Sequence, residues 1–308
     1  MSRFALLVTA ALVAAPALAH AGNGVDLVRF MPEDSSVYMV VDVAGSRDSD
    51  LFKKGMAKIV AMAPSSFALV QSAGLDPVTA IDTLAVGGRA LASGHDTDDF
   101  VIVAEGKNVT KVLELFSKDP SSKAKSYHGV MFWQNTDAAM ALVQKRLFLA
   151  KPGYIDRTID LALGKSKSAA KSPKGAPLRA LIATTDTRQD LWAAVVMPAD
   201  AAATAKASGL DVQGISIGAT LSTELALEIK MLNATDASAI TMLKQINQAL
   251  PQLTPALSNM GLSAAAKSLQ IDRDGAAVRL AITLTESELQ TLAGLLQGAF
   301  GGLNLGGP

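Results

Sequence analysis

From Met31 to Val43 the chain reads MPEDSSVYMVVDV: a polar turn, an aromatic residue, then an unbroken apolar run. Val37, Met39, Val41 and Val43 recur at a two-residue spacing, the period of a β-strand, and β-branched side chains suit a pleated surface. Burying that face would contribute about 6–12 kcal/mol as an upper bound. That is comparable to a whole domain's net stability, so the strand is predicted to be a core element. Asp42 falls on its other face and is expected to be a solvated or capped strand end. Thr187 to Pro198, TRQDLWAAVVMP, repeats the order of polar lead-in, aliphatic residue, aromatic residue and apolar run. The echo predicts two related modules in series.

Between these stretches the period alternates. Leu51 to Ser72 carries apolar residues at helical spacing, with Pro64 as a break, and Gly74-Leu75-Asp76-Pro77 reads as a turn. Ile81 to Gly87 and Phe100 to Glu105 read as a strand pair joined by a polar loop. Asn108 is placed to cap a helix through Ser117. Tyr127 to Gln134 and Leu142 to Lys151 read as a hairpin, and Tyr154 to Leu163 as a closing helix. In the second half a short helix spans Asp200 to Ser208, followed by strands over Val212 to Leu221 and Leu225 to Leu232. Asp236 is the expected cap of a helix interrupted at Pro251 and continuing to Met260. Ser263 to Asp272 and Ala276 to Leu284 form a last hairpin, and Glu286 to Phe300 a final amphipathic helix.

Leu225, Leu227, Ile229 and Met231 oppose Glu228 and Lys230, and Val278, Leu280, Ile282 and Leu284 oppose Arg279 and Thr283. Such alternation belongs to antiparallel sheets with one packed and one wet face. The fold class is therefore α+β: two tandem related modules, each a mostly antiparallel sheet with helices on one face. The expected divisions are a signal peptide over 1–21, a first module over 22–164, a lysine-rich linker over 165–177, a second module over 178–300 and a glycine-rich tail over 301–308. The linker is expected to be exposed, because GKSKSAAKSPKGAP holds no large apolar residue.

Charge and composition narrow the class. The 308 residues carry 28 Lys and Arg against 28 Asp and Glu, which argues against nucleic acid or an anionic membrane surface as partner. Arg3, the apolar Phe4 to Val13, Pro16 and the small-residue sequence Ala19-His20-Ala21 read as a secretory signal cleaved after Ala21, too short for a bilayer span. The chain has no cysteine, which removes disulfides, thiolate nucleophiles and thiolate metal sites, and leaves no thiol for a lipid anchor. The expectation is an exported protein, periplasmic or secreted, with no membrane span after cleavage.

MPEDSSVYMVVDV, AGLDPVTAIDTLAVG at Ala73 to Gly87, YHGVMFWQ at Tyr127 to Gln134 and DLWAAVVMP at Asp190 to Pro198 resemble a group of exported bacterial proteins with two tandem α+β modules and no assigned function. The likeness covers most of the mature chain and rests on packing patterns. The resemblance implies the fold and export, and it carries over no functional residue.

Reactive side chains are sparse. His128 alternates with Val130 and Phe132 and is expected to be a partly buried structural residue. His95 with Asp96, Asp98 and Asp99 lacks the glycine turn and distal glutamate of a calcium loop and reads as a solvated loop. Gly164-Lys165-Ser166 lacks the earlier glycine of a phosphate-binding loop. Ser168 with Lys171 and Ser122 with Lys125 have the spacing of a serine–lysine pair, but both lie in connecting stretches that could not desolvate a lysine. The glycosylation-like Asn108-Val109-Thr110 and Asn233-Ala234-Thr235 fall at helix starts, and Trp133 and Trp192 lie in apolar strands. No catalytic, cofactor-binding or metal-ligating residue is assigned. The expected function is a non-catalytic binding or scaffold protein of the cell envelope, with an envelope protein as a candidate partner. The alternative is a periplasmic carrier of an apolar ligand or lipid, and a hydrolase assembled from distant residues ranks third. Intact-mass measurement of the exported protein should place its first residue at Gly22; a chain that retains Met1 in the exported fraction would rule out the cleavage assignment.

Overall fold

In the computed structural model, residues 24–62, 76–89 and 100–292 are described. The strands are β1 (Val37–Asp42), β2 (Thr83–Gly88), β3 (Val101–Glu105), β4 (Lys123–Tyr127), β5 (Val130–Gln134), β6 (Ala139–Val143), β7 (Arg146–Ala150), β8 (Leu191–Val196), β9 (Val212–Leu221), β10 (Leu225–Asn233), β11 (Gln270–Asp274) and β12 (Ala277–Leu284). The main helices are α1 (Asp50–Met62), α2 (Val109–Lys118), α3 (Ile155–Ala162), α4 (Ala176–Thr184), α5 (Ala199–Ala207), α6 (Asp236–Asn259) and α7 (Ser263–Ser268). Among the described residues all twelve strands join one antiparallel sheet in the order β11-β12-β10-β9-β8-β1-β2-β3-β7-β6-β5-β4.

The two stretches that echo each other in sequence pair with each other in space. β1 and β8 run antiparallel from Val37↔Val195 to Val41↔Leu191. Outward from that seam the halves correspond: β1, β2, β3 on one side and β8, β9, β10 on the other, followed by the hairpins β6–β7 and β11–β12. α1 and α5 follow the first strand of each half, and α2 and α6 follow the third. The first module adds the hairpin β4–β5 at its outer edge. The fold is thus α+β with two tandem modules fused edge to edge.

α2, α6 and α7 lie on the same face of the sheet, as the alternation predicts. Val109 and Leu113 of α2 pack with Ala104 and Leu147. Ala239 and Met242 of α6 pack with Val212 and Val278, and Ala265 of α7 with Leu284. The opposite face of the central strands is covered as well. Tyr38, Val40, Trp192 and Ala194 are buried there beneath a 3-10 helix (Gly24–Phe30), α3 and α4, through Leu27, Phe30, Ile155, Ile159, Leu178 and Leu181. Tyr38 and Trp192 meet edge to face at 5.4 Å, and the Tyr38 hydroxyl donates to the Gly24 carbonyl.

The lysine-rich connector corrects the expectation of full exposure. Its lysines point outward, but Ser168, Ala169 and Ser172 are buried. The Ala169 amide donates to the Met31 carbonyl at 3.0 Å, and Arg179 donates to the carbonyls of Ala169 (2.5 Å) and Ser172 (2.8 Å). Small side chains let the backbone itself approach the core, and its polar groups are then paired rather than solvated. The acidic turn before β1 completes the anchor: Glu33 accepts from Ser172 Oγ and Lys174 Nζ, and Asp34 pairs with Arg89 and Arg157.

Local readings fail at turns and caps. Tyr127 to Gln134 is not one strand: β4 and β5 are joined by His128-Gly129, with φ of 50° and 79°, and β6 and β7 by Gln144-Lys145, with φ of 51° and 66°. Positive φ at both central residues matches the right-handed twist of a two-residue hairpin. Aromatic and apolar neighbours hide the turn from a periodicity count. Thr235, not Asp236, caps α6 by accepting from the Ser238 amide at 3.1 Å, and Asn108 precedes α2 without a side-chain cap bond. α6 continues through Pro251 and Pro255, because the carbonyls of Asn247 and Pro251 that lose donors belong to exposed residues. Ser263 to Ser268 is helical, so only Gln270 to Asp274 of that stretch is strand. Residues 286–292 are helical, whereas the signal segment, residues 63–72, His95 with its loop, the end of the last helix and the tail lie outside the described residues.

Asp42 and Asp190 are buried together where the seam ends. Asp42 caps a one-turn helix by accepting from the Gly45 amide at 2.9 Å, the capped strand end that was expected, and Asp190 accepts from the Leu221 amide at 3.0 Å. Burial raises the Asp190 pKa and the nearby Asp42 carboxylate adds to the rise, against the Leu221 hydrogen bond. A carboxyl raised in the fold is penalised above its folded pKa and relieved as the pH falls through it. Asp190→Asn keeps an acceptor for Leu221, so it should be more stable than the parent at about pH 7, with the gain shrinking towards about pH 4. Urea denaturation at the two pH values measures this; a variant weaker at neutral pH would refute the assignment.

Candidate functional site

Beyond β9 the face opposite α6 and α7 carries no helix among the described residues. In antiparallel sheets, directly paired residues share a face. Three rows cross this one: Thr220, Ala226 and Thr283; Gly218, Glu228, Ala281 and Gln270; Ser216, Lys230, Arg279 and Asp272. Small residues at Ala226 and Ala281 form a low floor, while Glu228, Arg279 and Gln270 stand as walls. Gln189, from the loop before β8, closes one side. The result is a concavity of about 340 Å³, at the lower end of the small-ligand range.

Its charges are committed to one another. Glu228 accepts from Lys230 Nζ at 2.8 Å and from Arg279 Nε at 2.5 Å, and Arg279 Nη1 reaches Asp272 at 2.8 Å. Burial alone would raise the Glu228 pKa, but hydrogen bonds from Lys230 and Arg279 outweigh it and hold the carboxyl lowered and ionised. Ser268 is equally engaged, donating to the Thr283 carbonyl and accepting from the Thr283 amide. Gln189 differs. Its carboxamide lies directly over Gly218, where any Cβ would collide with it, and its Oε1 is buried with no hydrogen-bond partner.

The sequence marked none of these residues as a site. The alternation of Glu228 and Lys230 against apolar neighbours was the available signal, and it identified the wet face without its curvature. The residues with candidate chemistry in the sequence lie elsewhere. His128 sits in the β4–β5 turn, not on a strand face, and its side chain is 43% exposed. Its Nε2 lies 3.5 Å from Asp160 Oδ1, and the Tyr127 hydroxyl donates to Asp160 Oδ2 at 3.3 Å. His128 therefore meets a carboxylate and a phenol, on the outer hairpin. Desolvation and the Asp160 charge raise the Tyr127 pKa, so the phenol stays protonated as a donor and is a poor nucleophile. These contacts tie the hairpin to α3.

Gly164, with φ of 71°, ends α3, and the amides of Lys165 and Ser166 return to the Asp160 carbonyl. A phosphate loop needs a helix N-terminus at that point, and this is a C-terminus. Ser168 is buried in the connector, and Lys123 and Lys125 lie on the exposed edge strand β4. Asn233 is buried, with its carboxamide donating to the carbonyls of Met231 and Ala276. Trp192 is fully buried at the seam and Trp133 is half-buried under α2. Among the described residues no group of three or more histidine or acidic side chains could hold a metal ion, and no helix is long and apolar enough to cross a membrane.

Glu228→Gln should lower stability by about 1–2 kcal/mol, because Lys230 and Arg279 would face each other without their shared carboxylate. Urea denaturation at neutral pH tests this, and an unchanged midpoint would show that the ion network contributes nothing.

No family model and no curated protein matches the sequence. Solved structures of the Treponema protein TP0453 share the fold. Its crystal form III aligns at a TM-score of 0.52 and 9% identity, covering 88% of this chain and 97% of that one. Crystal form IV aligns at 0.50 and 9% identity, over 86% and 95%. The chain is thus similar to TP0453 in its two-module α+β architecture.

Proposed function

We propose that the chain is an exported, non-catalytic binding protein of the cell envelope, whose working surface is the helix-free face of the second module. One observation carries this reading: a concave, charge-compensated surface on β9–β12 has no helix over it among the described residues, whereas the β1–β8 seam beside it is buried on both faces. Export is supported by the sequence from Arg3 to Ala21. The sheet edges favour the face over strand addition as the mode of contact. β4 presents Lys123 and Lys125 and β11 presents Asp272, Arg273 and Asp274, the charged edge residues that discourage pairing with another strand. Resemblance to exported two-module proteins and the shared fold with TP0453 agree with this class of protein.

Carriage of an apolar ligand gains no support from the concavity, whose walls are charged and which lies on the side away from α6 and α7. Hydrolysis gains none from the His128 cluster, which rests on an exposed turn with its phenol held protonated.

Since the chain has no cysteine, a single introduced thiol is a unique probe. Ala226→Cys on the exposed floor of the concavity should be alkylated several-fold more slowly in the intact envelope than in purified protein. Lys244→Cys on the outer side of α6 should react alike in both. Equal labelling of Ala226→Cys in the two settings would remove the proposal.

A further inference from the structure

We infer that the concavity on the second module takes a neutral small ligand carrying both amide and hydroxyl groups, and takes neither an ion nor a lipid. This rests on the reading of the helix-free face as a binding surface and adds the chemistry of what binds. Charge sets the first limit. Glu228, Lys230, Arg279 and Asp272 form a closed set of two positive and two negative side chains. A charged ligand would have to displace one member and leave its partner unpaired in a half-buried setting, which is costly. A neutral ligand leaves the set intact. Next comes hydrogen bonding. The side chains not consumed by the ion set are hydroxyls and carboxamides: Thr220, Thr283, Gln270 and Gln189.

Gln189 shapes the rim. Its Oε1 is turned onto Gly218 and buried there, so the carboxamide is held in place as one side of the space. Gly218 permits the carboxamide to lie flat at the rim, since any larger residue would push it away. Gln270 and the threonine hydroxyls offer donors and acceptors across the space above Ala226 and Ala281. The floor itself is too small in apolar area, and its walls too polar, to reward an acyl chain.

The probes are N-acetylglucosamine and an N-acetyl dipeptide amide, which separate a sugar source from a peptide source of the same groups. Sodium phosphate and a fatty acid are the charged and apolar controls. The mature full chain, labelled with nitrogen-15, is titrated with each and followed by amide chemical shifts. At least one neutral probe should saturate with a dissociation constant of about 1 mM or tighter, with shifts at Thr220, Ala281 and Thr283. Ala226→Phe, which fills the exposed floor without entering the core, should abolish these shifts. Gln270→Leu, which removes an exposed carboxamide from the lining, should weaken binding about tenfold, the effect of one lost hydrogen bond. Circular dichroism of both variants checks that they fold. Saturation by phosphate or fatty acid instead, no saturation by either neutral probe, or binding that survives Ala226→Phe overturns the inference. Envelope protection of Ala226→Cys is a separate measurement, so failure of the probes with protection intact discards the ligand class and keeps the binding surface.

Discussion

The structure depends on the pairing of β1 with β8. These are the two strands whose sequences echo one another, and both are buried on both faces around the seam. Tyr38, Val40, Trp192 and Ala194 pack on one side; Met39, Val41, Leu191 and Ala193 on the other. A strand buried twice has no tolerance for slippage, because a one-residue shift would exchange the aromatic face for the aliphatic one. The register at the seam therefore fixes where each outer strand of both halves falls. It also joins the modules through backbone hydrogen bonds, so a rotation of one half against the other would have to break the sheet.

Covering both faces of the centre requires segments that neither module supplies as its own repeated helices. The 3-10 helix before β1, α3 at the end of the first half and α4 at the start of the second do this together. Their polar ends are held by the acidic turn of Glu33 and Asp34, which gathers Arg89, Arg157, Ser172 and Lys174 from three separate parts of the chain. The connector between modules is thereby structural. Its lysines face water and its alanine and serines face the core.

Among the described residues this cover stops at β9, and the concavity starts there. Gly214 receives the Leu181 side chain of α4, whereas Gly218, four residues along the same strand, receives Gln189 from a loop. Past that point the face is wet, and the ion set of Glu228, Lys230, Arg279 and Asp272 replaces packed apolar residues. The concavity is thus the place where helix cover ends and small floor residues meet long charged walls. The same strands pack on their other side against α6 and α7, so one sheet carries core on one surface and the open concavity on the other.

Much of this was legible in order along the chain. Two-residue alternation located β1, β10 and β12 and separated wet from packed positions, and the echo of Met31–Val43 in Thr187–Pro198 located β8 and revealed the repeat. Turn geometry was less legible: His128-Gly129 and Gln144-Lys145 carry positive φ without the asparagine or aspartate that announces such turns. Neighbours close in the chain, β2 with β3 and β11 with β12, were legible, but the pairing of β1 with β8 and of β3 with β7 was not. Periodicity reports the side of a strand on which a residue falls, a local property of backbone geometry. Contacts such as Tyr38 with Trp192, Asp34 with Arg157, or Gln189 over Gly218 depend on strand order and register, which only the packed chain decides.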